Sequence, residues 1–357
     1  KFGFVGMMEL NCLCDIYSGY AFKSFNDTSD GIPVIKIGNI LSDGTIELTD
    51  CVYTEEVPKE KYYSKKDDIY IALSGATTGK IGVMQTDGLY VINQRVGIIR
   101  NKGKIPNDYL KYFLVSKSNQ ILKEASGCAQ PNISPKQISK YDISIQTEEK
   151  MLLITQQLKK IEVILQNYRN QIDLLDELVK ARFVEMFGDM KPTVKLNKYI
   201  IELRAGKSLA GNEICKNKVL KTGAATFGFF DKDQYKYYPK EYKPNPLHKV
   251  ETGDVIISRM NTPELVGACS YVYEAPDNTY YPDRLWKVIV NENTNPIFLW
   301  QLMWQQEIRK QIKENSYGTS GTMNNISKIK LLKINAIDVT ISLQNQFADF
   351  VKEVDKS

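Results

Sequence analysis

The residues of this chain best suited to hold a ligand lie in polar loops, which occur at matching places in its two halves. Ser, Thr, Asn, Gln, Lys and Arg donate hydrogen bonds to phosphates and base edges, and Gly lets backbone approach a ligand closely. We therefore interpret these loops as candidate DNA contacts. The residues in this set are Lys36, Ser74, Thr77, Thr78, Lys80, Arg95, Gln130, Asn132, Lys221, Arg259, Asn261, Thr262, Arg284, Thr319, Ser320, Thr322 and Asn324.

Members of this set are suited to different parts of a duplex. Arg259 has the donor geometry for two hydrogen bonds to guanine, and Asn or Gln has the geometry for adenine. Lys36 and Lys221 follow equivalent predicted strands and are candidates for phosphate contacts. The same residue types are typical of solvated turns, so that alternative remains open from composition alone.

Motifs for nucleotide binding and methyl transfer are incomplete. Segment 75–81 has three residues between its glycines and Ile81 after Lys80, where a phosphate-binding loop needs four residues and then Ser or Thr. Segment 295–298 lacks the second proline of the Asn-Pro-Pro-Tyr/Phe element of amino-methyltransferases, and no glycine-rich cofactor loop accompanies it. We therefore expect no bound cofactor and no methyl transfer by this chain.

Residues for metal or hydrolytic chemistry are equally sparse. The only histidine, His248, follows Pro244 and Pro246 in a Pro-rich loop that we expect at the surface. Pro282 and Asp283 are not followed by the Glu-x-Lys of a nuclease site. The six cysteines form no CxxC pair, which favours reduced thiols in a cytoplasmic protein over a metal site. The sequence predicts neither a metal site nor a catalytic residue.

The order of motifs in the first half is repeated in the second. Val34 corresponds to Val219, at a separation of 185 residues, and Asp68 to Asp254, at 186. Arg95 corresponds to Arg284 at 189, and Asn132-Ile133-Ser134 to Asn325-Ile326-Ser327 at 193. A separation that grows in small steps is typical of duplicated domains whose loops gained residues. The sequence therefore predicts two similar mixed α/β modules, which suggests that the protein binds two similar targets.

A long amphipathic helix is predicted between the modules. Apolar residues alternate at spacings of four and three, which is the period of a coiled coil, and about 40 helical residues would span roughly 60 Å. Thr147 is a candidate N-cap and Gly188 a candidate C-cap. Segment 341–357 corresponds to the start of a second such helix and is the predicted partner. The expected interface consists of Ile154, Leu158, Ile161, Leu165, Tyr168, Ile172, Leu175, Val179, Phe347, Phe350 and Val351.

Strands and shorter helices are predicted around these features. Ranges 31–40 and 68–73 are rich in β-branched residues and bounded by turn formers, so both are expected to be strands. Ranges 106–124 and 296–313 have helical patterns, with Tyr109, Tyr112, Phe113 and Leu122 on the apolar face of the first. The chain has 357 residues and a net charge of +5, and it contains no apolar run of membrane-spanning length.

The duplicated order of motifs resembles the specificity subunit of type I restriction-modification systems. The residues that carry the resemblance are Asp68–Gly82, Gln130–Ser134 and Gly253–Ser258, with the helix openings Gln146–Lys150 and Gln344–Phe350. The resemblance implies two target-recognition domains at 1–146 and 190–340, a conserved coiled-coil helix at 147–189, and the start of a distal one at 341–357.

That family also implies a function and partners. The subunit would be non-catalytic and bind a bipartite site in double-stranded DNA, with one half-site for each domain. It would direct two methyltransferase subunits and the restriction and translocase subunits. Two alternatives remain at this point, a scaffold with paired modules for a ligand other than DNA and a self-contained enzyme. Basic loops in both modules argue against the scaffold.

Overall fold

The computed structural model describes residues 5–26, 30–125, 131–318 and 323–355. The chain divides into two compact units, Lys1–Tyr168 and Arg169–Ser357. The division falls within the long helix, between Tyr168 and Arg169.

The first unit contains short strands and mostly short helices. Its described strands are β1 (Gly6–Glu9), β2 (Cys14–Ser18), β3 (Ile32–Ile35), β4 (Val52–Thr54), β5 (Ile69–Ala72), β6 (Ile81–Val83), β7 (Val91–Ile92), β8 (Val96–Asn101) and β9 (Asp142–Ile145). Its α-helices are α1 (Asn107–Ser116), α2 (Ser118–Ala125), α3 (Pro135–Ile138) and the beginning of α4 (Glu148–Phe187).

A four-stranded antiparallel sheet of order β2–β8–β5–β6 forms the centre of this unit. Successive side chains of β5 point to opposite faces, so Ile69 and Ile71 pack with the helices while Tyr70 and Ala72 face a second layer. That layer contains the three-stranded sheet β4–β3–β7, where β3 runs parallel to β7. Both strands predicted from the sequence are present and shorter than expected.

The predicted helix at 106–124 is two helices, and its predicted apolar face is wrong. The break lies at Lys117, whose amide donates to the Leu114 carbonyl, and it separates α1 from α2. Leu110, Leu114 and Ile121 are fully buried, whereas Leu122 is 41% exposed. The aromatic residues at 109 and 113 pack only at the margin of the core.

The second unit has strands and helices of the same types. Its described strands are β10 (Pro192–Lys195), β11 (Ile200–Ala205), β12 (Lys218–Leu220), β13 (Tyr235–Tyr237), β14 (Val255–Ser258), β15 (Met260–Asn261), β16 (Cys269–Tyr271), β17 (Thr279–Tyr280), β18 (Leu285–Val290), β19 (Asn324–Asn325) and β20 (Asn335–Ile337). Its helices are the end of α4, α5 (Pro296–Met303), α6 (Gln306–Asn315), α7 (Lys328–Leu332) and α8 (Ile341–Val354).

The strand order of the second unit matches that of the first. Its four-stranded sheet has the order β11–β18–β14–β16 and its three-stranded sheet the order β13–β12–β17, with β12 parallel to β17. The short pair β10–β20 corresponds to β1–β9. The predicted helix at 296–313 is also two helices, α5 and α6, whose buried residues include Phe298, Leu302, Ile308 and Ile312.

A buried carboxylate precedes the central strand of each unit. Asp68 pairs with Arg100 at 2.6 Å, and Asp254 pairs with Lys287 at 3.0 Å. Each aspartate also accepts the backbone N–H of the residue three positions earlier, which closes the turn before the strand. Because a buried charge is tolerated only when it is paired and hydrogen-bonded, these contacts fix where β5 and β14 begin.

Helix α4 begins one residue after Thr147, as predicted. The Lys150 amide donates to the Thr147 hydroxyl at 3.4 Å, and Glu148 and Glu149 occupy the first turn, where the helix dipole favours acidic residues. The helix ends at Phe187, next to the predicted C-cap at Gly188. The sequence therefore predicted both ends of α4 to within two residues.

Helix α8 packs against the C-terminal turns of α4 rather than along the whole predicted seam. The Phe347 ring lies 5.3 Å from Phe183 and 5.6 Å from Phe187, measured between centroids. Of the predicted interface, Val179, Phe347 and Val351 are buried, and Leu175 and Phe350 pack at the margin. Ile154 and Leu158 are half-buried, and Ile161, Leu165, Tyr168 and Ile172 are 50–61% exposed.

Candidate nucleic-acid interface

In the first unit, a polar cavity of about 360 Å³ lies where four segments of chain meet. The segments are the ends of β2 and β5, the residues just before β8, and the turn that leads into α3. Three predicted residues line it together, namely Ser74, Arg95 and Asn132, although they are far apart in sequence. The sheet therefore brings part of the predicted set to one place.

Backbone hydrogen bonds hold these segments in register. The Leu73 amide donates to the Arg95 carbonyl at 2.9 Å, and the Ile133 amide donates to the Leu73 carbonyl at 2.9 Å. The Gly75 amide donates to the Pro131 carbonyl at 3.1 Å. Leu73 and Ile133 are buried, so they fix the strand ends against the core, whereas Arg95 and Asn132 remain exposed to solvent.

The other predicted residues of this loop have mainly structural contacts. Thr78 is 3% exposed, and its hydroxyl donates to the Gly75 carbonyl at 2.7 Å, so it holds the loop instead of facing a ligand. Gly79 has φ of +86°, and a Cβ there would lie 3.3 Å from Ile121. Lys80 remains half-buried beside the sheet. The amides of Thr78, Gly79 and Lys80 donate to carbonyl groups within the same hairpin.

The cavity also contains polar residues that the sequence analysis missed, namely Ser18, Gln94 and Ser134. Ser134 caps α3, since its hydroxyl accepts the Gln137 amide at 3.3 Å. Gln94 is exposed next to Arg95, and its position beside this predicted arginine could have identified Gln94 from the sequence. Ser18 ends β2 and had no such signal, because only the pairing of β2 with β8 brings it to the cavity.

The second unit repeats the same backbone framework around Arg259. Its amide donates to the Arg284 carbonyl at 3.1 Å, and the Ile326 amide donates to its carbonyl at 3.0 Å. These bonds match those of Leu73, so Arg259 occupies the position of a buried leucine in the first unit. Its guanidinium lies 5.9 Å from the Trp286 ring centroid, and its Nε donates to Asn325 Oδ1 at 3.4 Å.

Three further predicted residues of this unit make contacts within the protein. Asn261 Nδ2 donates to the Thr226 hydroxyl at 3.3 Å, and its Oδ1 accepts the Thr262 amide at 2.9 Å. Asn324 Nδ2 donates to the Ser316 hydroxyl at 2.9 Å. These bonds connect β15, β19 and their loops, so the amides of Asn261 and Asn324 already have partners.

The two units differ in the residue before the exposed arginine. Arg284 is exposed, like Arg95, but it follows Asp283 where Arg95 follows Gln94. The Asp283 carboxylate accepts the Ser208 hydroxyl, and the Asp283 amide donates to the same hydroxyl at 3.2 Å. One unit therefore presents an amide and the other a fixed carboxylate at the same place.

The two lysines predicted for phosphate contacts occupy equivalent positions. Lys36 follows β3 and Lys221 follows β12, and each precedes a single 3-10 turn. The Lys36 ammonium lies 3.9 Å from the Phe25 ring centroid, whereas Lys221 is exposed. The remaining predicted residues, Gln130, Thr319, Ser320 and Thr322, lie outside the described residues.

Chemistry other than binding has little support in the described ranges. No group of three or more His, Cys, Asp or Glu side chains there has an arrangement that would hold a metal ion. His248 lies in a surface turn, where burial and the nearby Arg204 lower the pKa of its imidazole. No helix in the described ranges combines the length and apolar character of a membrane span.

Comparisons with known proteins agree with a DNA-recognition role. Residues 5–180 match the family model described as the type I restriction modification DNA specificity domain. The crystal structure of a type I restriction-modification S subunit from M. genitalium is similar, with 14% identity and a TM-score of 0.53. That likeness covers 99% of this chain and 90% of the other.

The HsdS subunit from Thermoanaerobacter tengcongensis is also similar, with 13% identity and a TM-score of 0.37, over 99% of this chain and 89% of the other. No curated protein matches the sequence. At these identities the structural likeness to the M. genitalium subunit shows the fold, and the family match concerns the first half of the chain.

Proposed function

Because this chain belongs to the family of the type I restriction-modification DNA specificity domain, we propose that it recognises a bipartite DNA target for a restriction-modification complex. Specificity subunits of this family are non-catalytic, and the activities of the complex reside in other subunits. We place the protein in the cytoplasm, where such a complex meets DNA. The two units would be the two target-recognition domains, related by duplication.

The observation that carries this proposal is the repeated framework around Leu73 and Arg259. The same pair of backbone hydrogen bonds occurs in both units, and it leaves Arg95 and Arg284 exposed at equivalent places. Arginine binds phosphate and guanine with two parallel donors. Two similar surfaces of this kind fit a target made of two half-sites.

The difference between Gln94 and Asp283 supports different half-sites. A glutamine amide pairs with the N6 and N7 edge of adenine, whereas a carboxylate accepts from the N4 amino group of cytosine. We assign base reading to Gln94 and Arg95 in the first unit, and to Asp283 and Arg284 in the second. Arg259, held between Trp286 and Asn325, is a further base-reading residue.

Lys36, Lys80 and Lys221 are assigned to the DNA backbone. They lie at strand ends beside the candidate surfaces, and lysine acts as a point charge toward phosphates. Each phosphate contact adds counterion release, so affinity would depend steeply on salt. Ser74 and Asn132 line the cavity in the first unit and complete its donor set.

The exposed middle of α4 supports assembly with other subunits. Apolar residues at coiled-coil spacing that are more than half exposed within one chain mark an interaction surface. We assign this seam to a coiled coil that docks two methyltransferase subunits, with the restriction and translocase subunits added to that core.

The proposal is tested by binding of the chain to DNA duplexes in a mobility-shift assay. Specific retention of one bipartite duplex over a scrambled duplex, lost when either half-site is scrambled, is the expected result. Equal retention of all duplexes, or of none, would show that the chain does not read sequence.

A further inference from the structure

The second unit contains a large aromatic groove that has no role in the proposed function. Its volume is about 930 Å³, and it lies among the last turns of α4, helix α5, strand β16 and loop 227–232. Phe227, Phe229 and Tyr273 in its wall are 68%, 60% and 47% exposed. Three large exposed aromatic side chains around one cavity are typical of a binding surface.

Two tryptophans hold this groove open. The Trp300 indole N–H donates to the Gly228 carbonyl at 3.1 Å, and the Trp304 indole N–H donates to the Cys269 carbonyl at 2.8 Å. Gly228 has φ of +89° and lies against the Trp304 ring, so the loop turns between the two phenylalanines. These bonds present Phe227 and Phe229 to solvent on a fixed loop, which reduces the entropy lost when a partner binds.

Carboxylates at one end of the groove give it a charge preference. Asp176 and Asp355 both line it, and within the described residues neither forms an ion pair. Desolvation in the groove and the charge of Asp176 raise the pKa of Asp355, whose carboxylate accepts the Tyr273 hydroxyl. Asp231 and Glu274 lie farther along, where Glu274 pairs with Lys232 at 3.3 Å. Lys180 and Lys232 also line the groove, but four acidic side chains outnumber these two lysines, so the net charge of the wall is negative and favours a cationic ligand.

The chemistry of the wall favours a guanidinium over an ammonium. Trp300 stacks on Tyr271 at 6.0 Å and meets Tyr273 edge-on at 6.1 Å, so flat aromatic faces stand beside the carboxylates. A guanidinium stacks on such faces and donates to two carboxylate oxygens together. The same carboxylates repel phosphate groups, which disfavours a nucleic-acid strand in this groove.

We propose that this groove binds a segment of a partner protein that carries an arginine between apolar residues. The apolar residues would pack on Phe227 and Phe229, and the guanidinium would lie between Asp176 and Asp355 against the tryptophan face. This proposal depends only on the residues of the groove, so its test is independent of DNA recognition.

The test uses the full chain with ¹⁵N-labelled tryptophan and acetylated, amidated tripeptides as probes. The probes are Leu-Arg-Leu and Leu-citrulline-Leu, which differ in charge and match in shape. We expect Leu-Arg-Leu to shift the indole signals of Trp300 and Trp304 and to bind about tenfold more tightly than the citrulline peptide. The buried Trp286 is an internal control, and its unchanged signal shows that the fold is intact.

Two variants separate the charge from the apolar contacts. The double variant Asp176→Asn and Asp355→Asn should remove the preference for arginine and leave the citrulline peptide unaffected. Phe229→Ala should weaken both peptides by a similar factor. Equal binding of the two peptides to the unmodified chain would overturn the proposal. So would absent shifts at Trp300 and Trp304, or equal shifts there on addition of a DNA duplex.

Discussion

Replacing Leu165 and Ile172 by aspartate should leave the chain folded but prevent its assembly with methyltransferase subunits. Both side chains lie on the α4 seam and are 51% and 60% exposed. An aspartate at such a position remains hydrated in the free chain, so its effect on the free energy of unfolding should stay within about 0.5 kcal/mol per site. In the assembled coiled coil, the same positions would be buried.

The expected loss of assembly free energy follows from the area still exposed. Full burial of a Leu or Ile side chain stabilises by about 1.5–3 kcal/mol, and about half of that remains available at each site. The two substitutions together therefore remove about 1.5–3 kcal/mol of apolar burial. Desolvation of two unpaired carboxylates adds to this loss, so assembly should weaken by at least about tenfold.

The assay is thermal unfolding of the variant, followed by titration calorimetry with the methyltransferase subunit. Val163→Asp is the matched control, because Val163 is on the same helix, is 59% exposed and lies off the seam. The control should assemble like the unmodified chain. If the seam variant also bound its partner with unchanged affinity, the seam would not be the docking surface. If it unfolded, the exposure of the seam would be wrong.

Three other outcomes are expected. Phe347→Ala should lower the free energy of unfolding of the second unit by about 3–5 kcal/mol in denaturant titrations, because the ring is fully buried between Phe183 and Phe187; a loss under 1 kcal/mol would contradict that packing. Lys221→Ala should weaken all DNA sequences alike and lower the slope of log K against log salt by about one; a change in preferred sequence would instead make it a base reader. The imidazole of His248 should titrate in NMR below about pH 6.5, because burial and Arg204 lower its pKa. The folded state then binds this proton less readily than the unfolded state, so the free energy of unfolding should fall as pH falls below about 6.5. Titration above 6.5 would refute this environment.

Much of the fold was predictable because its signals are local in sequence. The strand after Asp68, the caps of α4 and the order of motifs in both halves depend on short patterns of β-branched residues, turn formers and apolar spacing. The apolar face of 106–124 failed because two sets of residues recur there at helical spacing, and the core buries the aliphatic set Leu110, Leu114 and Ile121 instead of the aromatic one.

The candidate interface was predictable only in part, because it depends on pairing between distant strands. The sequence named Arg95 and Arg284 as candidates, and both are exposed directly before the strands β8 and β18. It included Thr78 and Asn261, whose polar groups already have partners inside the loops. The separation of 186 residues that relates Asp68 to Asp254 also relates Leu73 to Arg259, and the matching backbone hydrogen bonds show the same equivalence. The aromatic groove combines residues far apart in sequence and had no local pattern.

Whether each unit reads its own half-site is tested most directly by selecting bound duplexes from a random DNA library and sequencing them. The selection is made with the unmodified chain and with the variants Arg95→Ala and Arg284→Ala. The unmodified chain should select one motif made of two half-sites. Each variant should relax about one position in one half-site, with a cost of about 1–3 kcal/mol, and should leave the other half-site unchanged. A single contiguous motif, or variants that weaken both half-sites equally, would contradict the claim that each unit reads its own half of the target.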